Sequence, residues 1–492
     1  MQPSRVGRRA FLTTSGSLLG AATALVPAPS QAGASSSGTE ACVKSPRNSQ
    51  RQNEQGVVSH TKIHKSDLMK GFPPAKERRV SLENWAESGA YVRYAQQNAE
   101  VVFKTLPIER GSEPAWILPR KMIEKDDFEQ AQVLWGPSVT SGERISVAQW
   151  LDRSESDALV VMHDGHVVAE HYWGDMCSQT RHHLMCGAKS ILGTILAPYF
   201  LERRLDYDAP VTKYVPELAK TGFKGAKIRH LMDQTISLDY EEKWDSGDNE
   251  WTWGTREFRE AKHLMGQCMR ISGLFPPLPN EHNVGLQDYL FTLAKGEREH
   301  GEHCSYKDAN PMALQLILER LTGKSYSQHL TDFWQRLHPE GMATLSVDNI
   351  GMPYFTGLSC TARDWARWGE MVRCHGRVNG RHVFPGIREL VEDIRREPGL
   401  RDSSSISSVM PNTGYRNQFW TASVVPGKKP LLMANGLYLQ VCLIDCDRRN
   451  VVVWMGSFWD FDPDKKQKKH TASNAVVGLW SFVNDVLPQL VT

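Results

Sequence analysis

Cys186 and Lys189 stand three residues apart in His182-His183-Leu184-Met185-Cys186-Gly187-Ala188-Lys189-Ser190. Directly after them, Ile191, Leu192, Ile195, Leu196, Tyr199 and Phe200 repeat with helical spacing, so a helix starts close to Cys186. A side chain in the first turn and another three residues on share one helix face and can touch. A helix N-terminus and a neighbouring ammonium both favour thiolate, the reactive form of cysteine. The lysine could take the thiol proton only if burial and nearby dipoles lowered its own pKa. The chemistry this spacing points to is that of a thiolate nucleophile.

Three further stretches follow in order. The first is Leu205-Asp206-Tyr207-Asp208-Ala209-Pro210-Val211 with Tyr214-Val215-Pro216-Glu217-Leu218, leading to His230-Leu231-Met232-Asp233-Gln234-Thr235. The second is Cys304-Ser305-Tyr306-Lys307-Asp308-Ala309-Asn310, just before a helical repeat over residues 312–322 closed by Gly323. The third is Ala434-Asn435-Gly436 followed by Leu437-Tyr438-Leu439-Gln440. The series resembles the penicillin-recognising, β-lactamase-related serine hydrolases, most closely the branch holding 6-aminohexanoate-dimer hydrolase and carboxylesterase-like relatives. The resemblance covers roughly residues 146–456.

That resemblance implies an α/β (α+β) fold of the β-lactamase/transpeptidase type and an acyl-enzyme hydrolysis of amides or esters. It places the nucleophile at Cys186, where the family carries serine, the proton acceptor at Lys189 and the leaving-group proton donor at Tyr306. Asp308 takes the position of a polar partner that is usually Asn or Ser. Asn435 and Gly436 correspond to the strand that lines the substrate, and the N–H groups of Cys186 and Leu437 to the oxyanion hole. Leu439 replaces a glycine of the family pattern, and Ala434 replaces the cation that grips a β-lactam carboxylate, so small esters or short linear amides are the expected substrates. No cofactor is implied. Two rivals stand beside this reading: a catalytically silent protein that binds peptide-like or cell-wall ligands, and an esterase or amidase working from Ser190.

Other residues invite chemistry and are set aside. Ser59-His60-Thr61-Lys62 repeats the Ser-x-x-Lys spacing in a polar stretch with no apolar helix behind it. His300, His303 and Cys304 lack a fourth ligand at a zinc-like spacing. Trp244, Trp251 and Trp253 with Tyr240 could wall an acyl pocket or simply pack.

The elements that must hold these residues can be read in outline. Strand-like runs at residues 158–162 and 167–173 flank Asp164-Gly165, a hairpin signal. Residues 205–375 read as a helical subdomain broken by Pro and Gly loops. Strands return at 418–425, 431–434, 437–446 and 451–456, and a helix follows over about 472–487. Strands at both ends with helices between imply one antiparallel sheet flanked by helices.

The rest bounds the setting. Lys and Arg number 58 against 56 Asp and Glu, a balance too even for a nucleic-acid partner. Arg8-Arg9 before the uncharged run 10–27, with Ala32-Gly33-Ala34 beyond it, reads as a twin-arginine-type signal over residues 1–34, hence export to the periplasm or outside. Residues 35–79 read as a polar arm, and residues 80–492 as the hydrolase domain without a stable membrane span. Nine cysteines leave at least one thiol outside any intramolecular disulfide, and Cys442 and Cys446 lie too far apart on one strand to pair. Oligomeric state cannot be read from the sequence.

Overall fold

A computed structural model of the chain describes residues 67–240, 242, 253–261, 263–401, 413–422, 429–459 and 471–491. The signal-like leader, most of the polar arm with Ser59 and Lys62, and Trp244 and Trp251 lie outside the described residues. Among the described residues, seven antiparallel strands form the central sheet. In spatial order they are Gly414–Arg416, Phe419–Ala422, Leu431–Gly436, Gln440–Asp445, Asn450–Gly456, Ser156–His163 and His166–Tyr172. The N-terminal hairpin therefore docks beside the last strand of the C-terminal meander, with Val160 opposite Val453. Asp164 and Gly165 turn the hairpin at φ 47° and 79°, the left-handed conformations a two-residue connection needs.

Both faces of the middle of this sheet are buried, which is why the runs 158–162, 441–444 and 451–455 are apolar without alternation. Ala158, Val160 and Met162 point into one core, with Trp365, Trp368 and Met371 of helix Ala362–Arg373. Leu159 and Val161, the intervening residues, point into the other, with Trp150, Ala475 and Leu479. That second layer is made by helices Val147–Arg153 and Ala472–Ser481, the latter continuing through a π turn at Phe482–Val486.

The middle of the chain departs from the expected helical subdomain. It contributes strands Ala343–Val347 and Pro353–Cys360 to a second, four-stranded sheet, with Thr105–Ile108 on one side and His182–His183 on the other. Residues 67–79, expected in the polar arm, include the buried Leu68, and the core continues through Val80, Trp85 and Val92. Helix Ala309–Thr322 ends as anticipated at Gly323, whose φ is 72°. Among the described residues no helix is long and apolar enough to cross a membrane. Cys177 is disulfide-bonded, and Cys442 and Cys446 are free.

Candidate active site

Cys186 sits where three elements meet. Strand His182–His183 pairs with Ser359 and Cys360, and Leu184 N–H extends that pairing to Leu358 O at 2.9 Å. The chain then turns through a 3-10 segment, Met185–Gly187, before the α-helix Ala188–Leu201 begins, so Cys186 precedes the regular helix instead of opening it. Strand Leu431–Gly436 crosses against this turn. A Cβ on Gly436 would lie 2.5 Å from Leu184 O and 3.0 Å from Cys186 N, so only glycine allows the approach. Leu437 follows it and lines the same recess as Cys186, while Asn435 is half-buried beside them.

Lys189 projects from the first turn of the helix and is 1% exposed. Its Nζ donates to the Tyr306 hydroxyl at 2.8 Å and lies 4.2 Å from the centre of the Tyr306 ring. Both Lys189 and Tyr306 lie close enough to Cys186 to act on its thiol, each favouring the thiolate. Tyr306 stacks on Trp420 at 5.1 Å and meets Tyr415 edge-on at 5.4 Å. Its segment is pinned by Gln234, whose carbonyl accepts Ser305 N–H at 2.7 Å and whose side-chain oxygen accepts Lys307 N–H at 3.0 Å. The structure thus brings Cys186, Lys189, Tyr306, Asp308, Gly436 and Leu437 into one place.

Asp308 is more than a neutral polar partner. Its carboxylate forms an ion pair with Lys189 through one oxygen and accepts the Tyr354 hydroxyl at 2.7 Å through the other. This changes the lysine. Burial alone would lower the Lys189 pKa, as anticipated from the sequence, but the Asp308 carboxylate and then Cys186 hold the ammonium well above its ordinary value. Lys189 is therefore a cation in the resting site. Burial pushes the Cys186 thiol up, against the pull of Lys189, so the sulfur rests protonated. Burial first, and nearby Cys186, raise Tyr306 well above the usual phenol value as well.

Ser190, the rival nucleophile, is buried and its hydroxyl is committed to Gln418 O, to which it donates at 2.7 Å. His300 accepts Ser237 N–H, and Cys304 packs into the outer core. Trp253 walls the recess and donates its indole N–H to the Tyr438 hydroxyl at 2.7 Å. Met185, Met265, Met269 and Leu274 complete an apolar side of the recess, and its free space is only about 30 Å³.

Three participants escaped the sequence reading: Gln234, Tyr354 and Glu242. Gln234 sat inside a quoted motif without a role, and Tyr354 lies on a strand expected to be helical. Glu242 lines the recess and accepts Asp308 N–H at 2.6 Å. Burial, then the Asp308 carboxylate, push it up to about 8, with Lys189 opposing. The folded chain thus keeps this proton where the unfolded chain releases it, so stability falls as pH rises from about 4.5 to about 8 and then levels off. Glu242→Gln should flatten that slope in melting temperatures taken from pH 5 to 9. An unchanged slope would place the titration elsewhere.

The β-lactamase family model matches residues 147–473. A 6-aminohexanoate-dimer hydrolase from Paenarthrobacter ureafaciens is 30% identical over 403 residues, which cover 80% of this chain and 92% of that one. The solved structure of a Bacillus anthracis protein assigned as a 6-aminohexanoate-dimer hydrolase superposes with a TM-score of 0.66 at 22% identity, covering 84% of this chain and 99% of its own. At that identity the likeness concerns the fold: antiparallel sheets flanked by helices, as expected.

Proposed function

Because the chain belongs to the β-lactamase family and is a hydrolase of amide or ester bonds, we propose that it works through an acyl-thioester on Cys186. The observation that carries this reading is the placement of Cys186 in one recess with Asp308 and Leu437, at a turn pressed against Gly436, with the hydrogen-bonded Lys189–Tyr306 pair near enough to act on its thiol.

Lys189 is already protonated, so it cannot simply receive the thiol proton. It relays: Nζ passes one proton to Asp308 as it takes another from Cys186, and the S–C bond forms at the substrate carbonyl. The N–H groups of Cys186 and Leu437 hold the oxyanion. When the tetrahedral intermediate collapses, the C–N or C–O bond breaks and Tyr306 gives its hydroxyl proton to the leaving group. Lys189 restores that proton and recovers its own from Asp308. Water then attacks the thioester by the reverse relay, releasing acid and thiol.

The narrow recess beside Cys186, apolar on its methionine side, leaves no room for a bulky acyl group, which supports short linear amides over β-lactams as substrates. The buried Ala434 supplies no cation for a ring carboxylate. Export through the Arg8-Arg9 leader is part of the same proposal, and the disulfide at Cys177 fits an oxidising compartment.

The test is intact-mass measurement after brief exposure to an activated ester and to a short linear amide. One acyl group should appear on the wild type and none on Cys186→Ala. Turnover with no adduct on residue 186 would remove the acyl-thioester, and neither turnover nor adduct would favour a silent binding protein.

A further inference from the structure

We propose that His183 is a positioning residue whose Nδ1 holds the turn that aims Cys186, an inference that rests on Cys186 being the nucleophile. Met185, between the two, has φ 49°, a left-handed conformation that a long side chain seldom adopts and that must be held from outside. The hold is visible. Met185 N–H donates to His183 Nδ1 at 3.0 Å, while Gly187 N–H closes the turn on Leu184 O at 3.0 Å. No helix or sheet bond is available to Met185 N–H at this point, because strand pairing ends with Leu184 and the α-helix starts at Ala188.

An acceptor at Nδ1 requires the neutral ring with its proton on Nε2. Two observations agree with that form. His183 is 1% exposed and lies against Phe103, ring centres 5.7 Å apart, with no hydrogen-bond partner for Nε2 among the described residues. Burial, and then His182, bring its pKa down to about 3, so the ring remains an acceptor across the working range. An unpaired buried N–H is unfavourable, and any apolar side chain would avoid it. Histidine here is explained by what Nδ1 does for the residue beside the nucleophile. The Leu184–Met185 peptide that Nδ1 restrains is followed directly by the peptide that carries the Cys186 N–H, so the turn sets both the sulfur and one oxyanion donor.

Three substitutions separate an acceptor from mere filling. Asparagine presents an amide oxygen close to the Nδ1 position, glutamine carries it towards Nε2, and leucine removes it. His183→Asn should keep kcat within about fivefold, whereas His183→Gln and His183→Leu should lose roughly 30- to 100-fold with KM nearly unchanged, the usual effect of an ångström-scale misplacement. Hydrogen exchange at the Met185 amide should accelerate in the Gln and Leu variants and not in the Asn variant. Equal activity of the Asn and Gln variants, or unchanged Met185 exchange in both, would overturn the proposal, and that pair suffices if the Leu variant does not fold. Cys186→Ala is measured alongside. Turnover lost there but intact in His183→Gln sinks this inference alone; turnover surviving in Cys186→Ala sinks the nucleophile reading and this inference with it.

Discussion

Exchanging Cys186 for serine is expected to lower kcat/KM by roughly 10²- to 10⁴-fold, the range that general-base assistance supplies, although only one atom changes. A serine hydroxyl is a far weaker acid than a thiol and needs a neutral base beside it. Lys189 is not one, since the Asp308 carboxylate keeps it charged. A cationic lysine still helps a thiol, because it stabilises thiolate once the proton has left. The variant should fold normally, with an unchanged melting temperature, as the volume change is small. Steady-state rates with a short amide and an activated ester decide the matter, with Cys186→Ala as the floor. A serine variant equal to or faster than the wild type would mean that Lys189 does act as a neutral base and that the electrostatic argument is mistaken.

The second large effect concerns Asp308. Asp308→Asn leaves the buried Lys189 ammonium facing no countercharge, a change that typically destabilises by about 3–5 kcal/mol, and it removes the acceptor of the proposed relay. Turnover should fall at least as far as in the serine variant. The pH dependence of stability also changes. In the wild type Lys189 sits above its unfolded value, so its stabilising contribution is complete below about pH 10.4 and is lost only as pH rises through the higher folded value. Without Asp308, burial, already the largest single influence, loses its main opponent and lowers Lys189, so the unfolded chain binds the proton more readily. The deficit is then largest at neutral pH and shrinks towards pH 10. Urea denaturation at pH 7 and pH 10 measures both points, and a loss under about 1 kcal/mol at pH 7 would contradict the buried pair.

What the residues disclosed before any coordinates followed how local the signal was. The Asp164-Gly165 turn, the Gly323 cap and the apolar runs of the central sheet are decided by neighbours in sequence, and each appears close to where it was expected. Strand Gly414–Arg416 is only three residues long and was missed, as were Ala343–Val347 and Pro353–Cys360. The last two are fully buried, so they carry no alternation to distinguish them from helix. In the site, Cys186 and Lys189 stood at a legible spacing, and the resemblance to a known family pointed to Tyr306 and Gly436. The charge of Lys189 was not legible, because it depends on a carboxylate 119 positions away in the chain whose approach only the fold creates. Glu242 and Tyr354 were hidden for the same reason.

The order of strands in the central sheet has a consequence for how the protein is made. The hairpin ending at Tyr172 is flanked on one side by a strand that begins only at Asn450. During synthesis at about 5–20 residues per second, roughly a quarter to one minute passes before that partner leaves the ribosome. Throughout that interval Ser156–His163, apolar on both faces, presents an open edge that any other extended segment could join. Yield in the cell should therefore depend on whatever shields nascent chains, and a ribosome stalled before residue 450 would release a product prone to aggregate however stable the finished molecule is.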